Sequence, residues 1–318
     1  MSNLNKQRDV YVDVAKGIAM LLIVRIHTEV FGVINTPYPI IAVPFFFFLS
    51  GFYDNTYKPI KEWLPKTFKR LFLVGFYWVI ISFAYISLLH YLKDNTIPID
   101  ASINQPLIGG RATWFLFALF YAKCGTWLIN KTKIPSYIIL PLLILFGGVI
   151  SRINLPLLLD EGIAAIPFYY AGKVCYPLIN KNRKIVSWLS VIGVICILLM
   201  QMRWFPWVLV SYTQHPPYMY PVFFLMTFCS FATFIWISKK LENQKWLSNY
   251  GTQTLGILVL HPLLLHTIAI VLNRIFEKGS TPWIIIFLVA YVIVCVLSYY
   301  LSLLIMKYCP ILLGGKKK

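Results

Sequence analysis

Ten apolar runs follow one another through this chain, at 14–34, 40–53, 70–90, 113–129, 136–150, 163–179, 185–202, 220–237, 255–272 and 283–306. Inside hydrocarbon a backbone must satisfy its own N–H and C=O groups, so runs of this length in series are expected to become helices. The expected fold is all-α: a polytopic membrane protein with about ten transmembrane helices. The second and fifth runs are short, which leaves nine as the alternative count. Composition agrees, with 59% hydrophobic and 13% charged residues and a mean hydropathy of +0.71, where soluble domains lie nearer half and a quarter. No stretch of mixed composition is long enough for a soluble domain. The chain therefore divides into an N-terminal segment (1–13), a transmembrane domain (14–306) and a basic tail (307–318). No cleavable leader is expected, because the first apolar run follows a polar start and continues as a full span.

A net charge of +18 raises the question of nucleic acid, and the position of the charges answers it. With the N-terminus inside, twenty of the 29 Lys and Arg residues fall on cytoplasmic segments and six on the opposite side. Arg25, Lys123 and Lys173 remain within spans. This bias is the positive-inside signature of an even helix count with both termini cytoplasmic. No nucleic-acid partner is expected; the partner is the lipid bilayer. The six cysteines lie in or beside apolar runs without paired spacing. They read as small hydrophobes, so neither a disulfide framework nor a metal site is supported.

The first apolar run is unusual: Asp13, Lys16, Arg25, His27 and Glu29 all lie in or beside it. Ionisable groups within a span are costly and point to function. Eleven residues separate Lys16 from His27, about three turns, so the two share a face roughly 16 Å apart along the axis, with Asp13 within about 40° of that stripe. Arg25 and Glu29 fall on the other side at a spacing that allows them to pair. The segments 91–112 and 203–219, rich in Pro, Asn, Gln and aromatics, suit either the mouth of a cavity for a flat-faced polar ligand such as a sugar or an interfacial aromatic belt.

Further motifs follow in order. Asp13-x-x-Lys16-Gly-Ile…His27 precedes Pro44-Phe-Phe-Phe-Phe-Leu-Ser50-Gly51-Phe52, then Lys66-x-x-Lys69-Arg70, Trp114-Phe-Leu-Phe-Ala-Leu-Phe120 and Ile166-Pro-Phe-Tyr-Tyr-Ala-Gly172. The last is Tyr250-Gly-Thr-Gln-Thr-Leu255 with His261 six residues on. In this order the chain resembles membrane O-acyltransferases of the acyltransferase-3 family, and most of all the fucose-4-O-acetylase-like branch, over about residues 8–306. The resemblance implies a bacterial cytoplasmic (inner) membrane enzyme. Such an enzyme takes an acyl group, usually acetyl, from cytoplasmic acetyl-CoA as co-substrate to a hydroxyl of a cell-surface polysaccharide or its lipid-linked sugar precursor. It maps a basic residue, ten intervening positions and a histidine onto Lys16 and His27. Relatives more often have Arg at the first position and Gly where this chain has Ile26.

O-acyl transfer needs a base for the hydroxyl proton, an anion site for the CoA phosphates and donors for the oxyanion. His27 is the expected base, since imidazole titrates near neutrality. His261, before Pro262, is the second histidine of interest; Asp13 joins Lys16 and His27 in the stripe expected to face the reaction chamber, and Glu161 is the carboxylate that would orient a base or bind sugar hydroxyls. A solvated acidic helix start is the alternative for Asp160–Glu161. Lys16, Lys69 and Arg70 are expected at the CoA mouth, whereas Lys123 and Lys173 read first as positive-inside residues. Ser50, Arg111 and Trp114 are the candidate substrate contacts, although Ser50 reads first as letting helices pack closely and only second as a substrate contact. The competing class is a multi-span glycan or lipid transporter without transferase activity. Such proteins commonly show repeated halves, which are not evident in this sequence.

Overall fold

The computed structural model describes residues 9–28, 30, 41–94, 113–150, 153, 155–201 and 219–315. Among these 87% are helical and none lies in a strand. In chain order the helices are α1 (Val10–Ile26), α2 (Ala42–Gly51), α3 (Ile60–Thr67), α4 (Val74–Asp94), α5 (Trp114–Ile129), α6 (Ser136–Ile150), α7 (Leu159–Lys181), α8 (Arg183–Gln201), α9 (Tyr220–Lys240), α10 (Lys245–Thr252), α11 (Thr254–Ile275) and α12 (Thr281–Tyr308). A π-helical turn, Phe68–Leu73, joins α3 to α4, and 3₁₀ turns at Pro156–Leu158 and Pro310–Leu313 precede α7 and follow α12. Five helical stretches are long and apolar enough to cross a membrane: Ile60–Leu92, Arg183–Met200, Tyr220–Lys240, Thr254–Ile275 and Thr281–Tyr308. The apolar helices α2, α5 and α6 are shorter.

The second apolar run, expected as a short span, forms a helix of only ten residues. That is about 15 Å of rise, half the ~30 Å hydrocarbon thickness. Four consecutive phenylalanines point to every side of such a helix, so it can only be stable surrounded by protein. Phe45, Phe46, Phe47, Phe48 and Leu49 are all buried. Phe45 and Phe48 meet Phe231 of α9 at ring distances of 5.1 and 5.0 Å, and Phe47 meets Phe115 of α5 at 4.6 Å. α2 is thus the hub of the bundle, with α1, α5, α7 and α9 around it.

Two glycine crossings set the spacing of the inner helices. A Cβ on Gly51 would lie 2.0 Å from the Tyr169 carbonyl oxygen, and one on Gly172 would lie 1.9 Å from that of Phe48. α2 and α7 therefore touch backbone to backbone. A Cβ on Gly251 would lie 1.7 Å from the Asp13 carbonyl oxygen, and one on Gly17 2.5 Å from that of Leu247, so α1 and α10 touch in the same way. Without a hydrophobic drive between helices in lipid, such close approach supplies the packing that holds them.

The start of α1 and the ends of α7 and α9 share one end of the bundle. Tyr11 donates to Asn180 (2.6 Å), Tyr176 donates to Asp9 (2.6 Å), and Lys239 donates to the Ile179 carbonyl (2.6 Å). The chain returns there after α12, where Trp78 donates to the Leu312 carbonyl at 2.8 Å and Arg70 lies against Gly314. This is the basic end of the molecule.

Candidate functional site

α1 is helical through Ile26, and His27 is its C-terminal cap. The Lys16–His27 face predicted from the sequence holds as far as that cap. His27 is exposed, while the next residue, Thr28, is buried and donates to the Val24 carbonyl at 2.9 Å.

The two histidines of interest meet. Gly17 and Gly251 mark the crossing of α1 with α10, and Gln253 alone separates α10 from α11. His27 stands ten residues beyond Gly17, and His261 stands ten beyond Gly251. Both helices climb in the same direction at about 1.5 Å per residue, so both histidines arrive roughly 15 Å above the crossing. Their ring centroids are 5.0 Å apart with planes at 55°. His261 is fully buried, and its Nδ1 lies 2.8 Å from the Ile257 carbonyl oxygen.

The second constellation lies at the basic end. The Asp54 carboxylate, 3% exposed, accepts from the Tyr169 hydroxyl at 2.9 Å and from the Thr56 hydroxyl at 2.8 Å. It also stands 3.6 Å from the Lys173 ammonium. Lys173 donates to Asn130, whose amide in turn donates to Thr56 at 2.8 Å. Lys16 lies over the Tyr53 ring and Lys123 over the Tyr169 ring, each at 5.8 Å, and Lys173 over Tyr170 at 5.6 Å. Lys123 is also within electrostatic range of Arg70. Lys173 and Lys123 thus face the Asp54 carboxylate, with Arg70 within range of Lys123 and Lys16 over the neighbouring Tyr53, which leaves positive charge in half-buried surroundings where a polyanion is attracted. The π-turn that carries Lys69 and Arg70 leaves both exposed beside this cluster.

Next to it, a pocket of about 470 Å³ is lined by Asp9, Tyr11, Asn180, Arg183, Lys239 and Glu242, among others. Its two acids balance its two bases, and Lys239 is already engaged with the Ile179 carbonyl and the Tyr11 ring. The surplus charge belongs to the lysines around Asp54, not to this pocket.

The remaining predicted residues are spread through the molecule. Asp13 is buried at the α1–α10 crossing, fourteen residues or about 21 Å below His27, at the lysine end of the stripe. Ser50 is half-buried beside the Gly51–Gly172 crossing, three residues from Tyr53, and so lies toward the lysine end of α1 and not the histidine end. Glu161 is in the first turn of α7, within electrostatic range of Tyr220, whose hydroxyl donates to the Ala164 carbonyl at 2.7 Å. Trp114 opens α5 and is half-buried. Arg25 is within electrostatic range of Tyr291 on α12. Arg111, and the Glu29 expected to pair with Arg25, lie outside the described residues, as do most of the segments 91–112 and 203–219.

Sequence reasoning missed Asp54, Asn130 and Tyr169. The available signal was Asp54 itself, a carboxylate two residues after the Ser50-Gly51-Phe52 motif at the end of an apolar run. The equal ten-residue spacing from glycine to histidine in two separate motifs also foreshadowed the meeting of His27 with His261.

No curated protein and no solved structure matches the chain. The acyltransferase-3 family (Acyl_transf_3, acyltransferase domain) does match it, over residues 9–306. That match takes in both histidines, all four clustered cations and every described helix except the last residues of α12. The chain therefore belongs to the acyltransferase-3 family and is a multi-pass membrane acyltransferase.

Proposed function

We propose that this enzyme moves an acetyl group from acetyl-CoA, bound at the basic end on the cytoplasmic side, to a hydroxyl of a surface glycan or its lipid-linked precursor. The reading places the protein in a bacterial inner membrane with both termini inside, in the fucose-4-O-acetylase-like branch of its family. The observation that carries it is the placement of opposite chemistries along one helix: Lys16 among the cations at one end of α1, and exposed His27 at the other. That spacing, about 16 Å along the helix axis, suits an extended pantetheine arm that is held by its phosphates below and presents its thioester above. Lys16, Lys69 and Arg70 are the expected phosphate contacts, and the geometry adds Lys123 and Lys173 to them. Ser50 would lie along the arm. Trp114, Arg111 and Glu161 would serve the acceptor.

In this reading the His27 imidazole takes the hydroxyl proton as the oxygen attacks the thioester carbonyl. The tetrahedral intermediate then expels the CoA thiolate, and the imidazolium returns the proton to that sulfur. The net reaction consumes ester-forming hydroxyl and thioester and yields ester and free thiol, with no proton gained or lost.

The test is to supply radiolabelled acetyl-CoA to membranes that contain the native protein or its His27→Ala variant. Label is expected in the glycan fraction with the first only, with a loss of about 10²-fold or more in the second. Equal labelling by the variant rules out His27 as the base. Absence of labelling by the native protein on its own host's glycan rules out acetyl-CoA and that glycan as the donor–acceptor pair.

A further inference from the structure

His261 is fully buried, and only one of its nitrogens is accounted for. Its Nδ1 lies 2.8 Å from the Ile257 carbonyl oxygen. A carbonyl only accepts, so Nδ1 carries the ring proton and Nε2 holds a lone pair. Pro262, the next residue, has no N–H to return to the helix. The carbonyl left without a backbone donor is therefore that of Leu258, one residue on from the Ile257 carbonyl that His261 meets. The Nε2 atom is buried and has no hydrogen-bond partner among the described residues. A buried acceptor left without a donor is a site prepared for one. The ring 5.0 Å away at 55° is that of His27, which is exposed and has an N–H in either neutral tautomer.

We propose that in the donor-bound enzyme the His27 N–H closes on Nε2 of His261. His261 is then the positioning residue of the base, an inference that rests on His27 acting as proposed above. The bond fixes the His27 tautomer, with its other nitrogen bare toward the acceptor hydroxyl. The same logic makes an anchored acceptor orient the base in hydrolytic triads. Here the acceptor is a neutral imidazole, itself fixed by a backbone carbonyl on a proline-interrupted helix. The hydrogen bond orients His27 without taking its proton, so the stoichiometry of transfer is unchanged. Catalytic hydrogen bonds are commonly long before substrate binds and tighten afterwards, which accounts for the present ring separation.

The test compares His261→Leu with His261→Gln in full-length protein, using label transfer from acetyl-CoA to the glycan fraction. Leucine fills the volume without an acceptor, while glutamine places its amide oxygen near the position of Nε2. Leucine is expected to lower kcat about tenfold or more with the acetyl-CoA KM unchanged, and glutamine to recover most of that loss, the pattern of an interaction made at the chemical step. Native kcat in the leucine variant, or equal loss in both, overturns the assignment. A second measurement needs neither variant of His261 nor turnover. In histidine-¹⁵N-labelled protein saturated with CoA, the Nε2 resonance of His261 is expected to shift from a hydrogen-bonded to a bare lone pair on His27→Ala, and an unchanged resonance overturns the assignment. Failure of the native protein to transfer label would remove the proposed donor and acceptor, whereas a null result confined to His261 removes only its role.

Discussion

His27 and His261 hold their rings 5.0 Å apart, although one caps α1 and the other lies a third of the way along α11, 234 residues later in the sequence. Their meeting depends on Gly17 and Gly251, which let α1 and α10 touch ten residues earlier in each chain segment.

Gly251→Ala therefore acts at a distance. Its methyl would lie 1.7 Å from the Asp13 carbonyl oxygen, so α1 and α10 must part. The shift is carried about 15 Å up both helices and separates the histidines. The expected outcome is a fall in transfer rate of about tenfold or more, since misplacement by about 1 Å is enough to cost that. Size-exclusion profiles in detergent report whether the fold survives, and the label-transfer rate reports the displacement.

The lysines around Asp54 separate donor binding from chemistry. Lys123→Gln and Lys173→Gln are expected to raise the acetyl-CoA KM several-fold and leave kcat close to native, because each removes charge attraction remote from His27. Attraction between these half-buried lysines and an incoming polyanion weakens as the Debye length shortens toward about 3 Å at 1 M salt, though less than between fully exposed groups. The native KM should therefore rise with ionic strength and the variants should respond less. A salt titration of initial rates measures both.

Asp54→Ala tests the same cluster through stability. The change leaves the Tyr169 hydroxyl without its acceptor, and the Lys173 ammonium, still bonded to Asn130, without its counter-ion. A loss of about 1–3 kcal/mol is expected for such orphaned groups. Thermal unfolding in detergent should show a clear drop for alanine and a smaller one for Asp54→Asn, which keeps an acceptor oxygen.

Phe47→Ala probes the hub. Phe47 has no exposed surface and meets Phe115 at 4.6 Å, so its loss leaves a cavity that four neighbouring helices cannot close. The expected cost is about 3–5 kcal/mol. Tyr137→Ala, at a residue 78% exposed, is the control and should change the unfolding midpoint little.

The helical class, the membrane character and the family were all legible in the sequence, because hydrophobic length, backbone self-satisfaction and motif order are local or sequential properties. The face shared by Lys16 and His27 was legible for the same reason, since helical rotation is fixed per residue. Two features lay beyond local reading. The second apolar run became a half-length helix of ten residues, buried on all sides, because the phenylalanines of α2 find aromatic partners on α5 and α9 that lie far along the chain. Asp13 looked like part of the reactive stripe because angle around a helix is easy to count. What no local count gives is its burial at a crossing with α10 that depends on residues 238 positions away. The opening motif supplied the lysine and the histidine. Only tertiary packing decided what each one faces: Lys16 the Tyr53 ring beside Asp54, and His27 a buried imidazole with one nitrogen still to be filled. Helix–helix register at glycine crossings made that decision, and it is a property of two surfaces and not of one sequence.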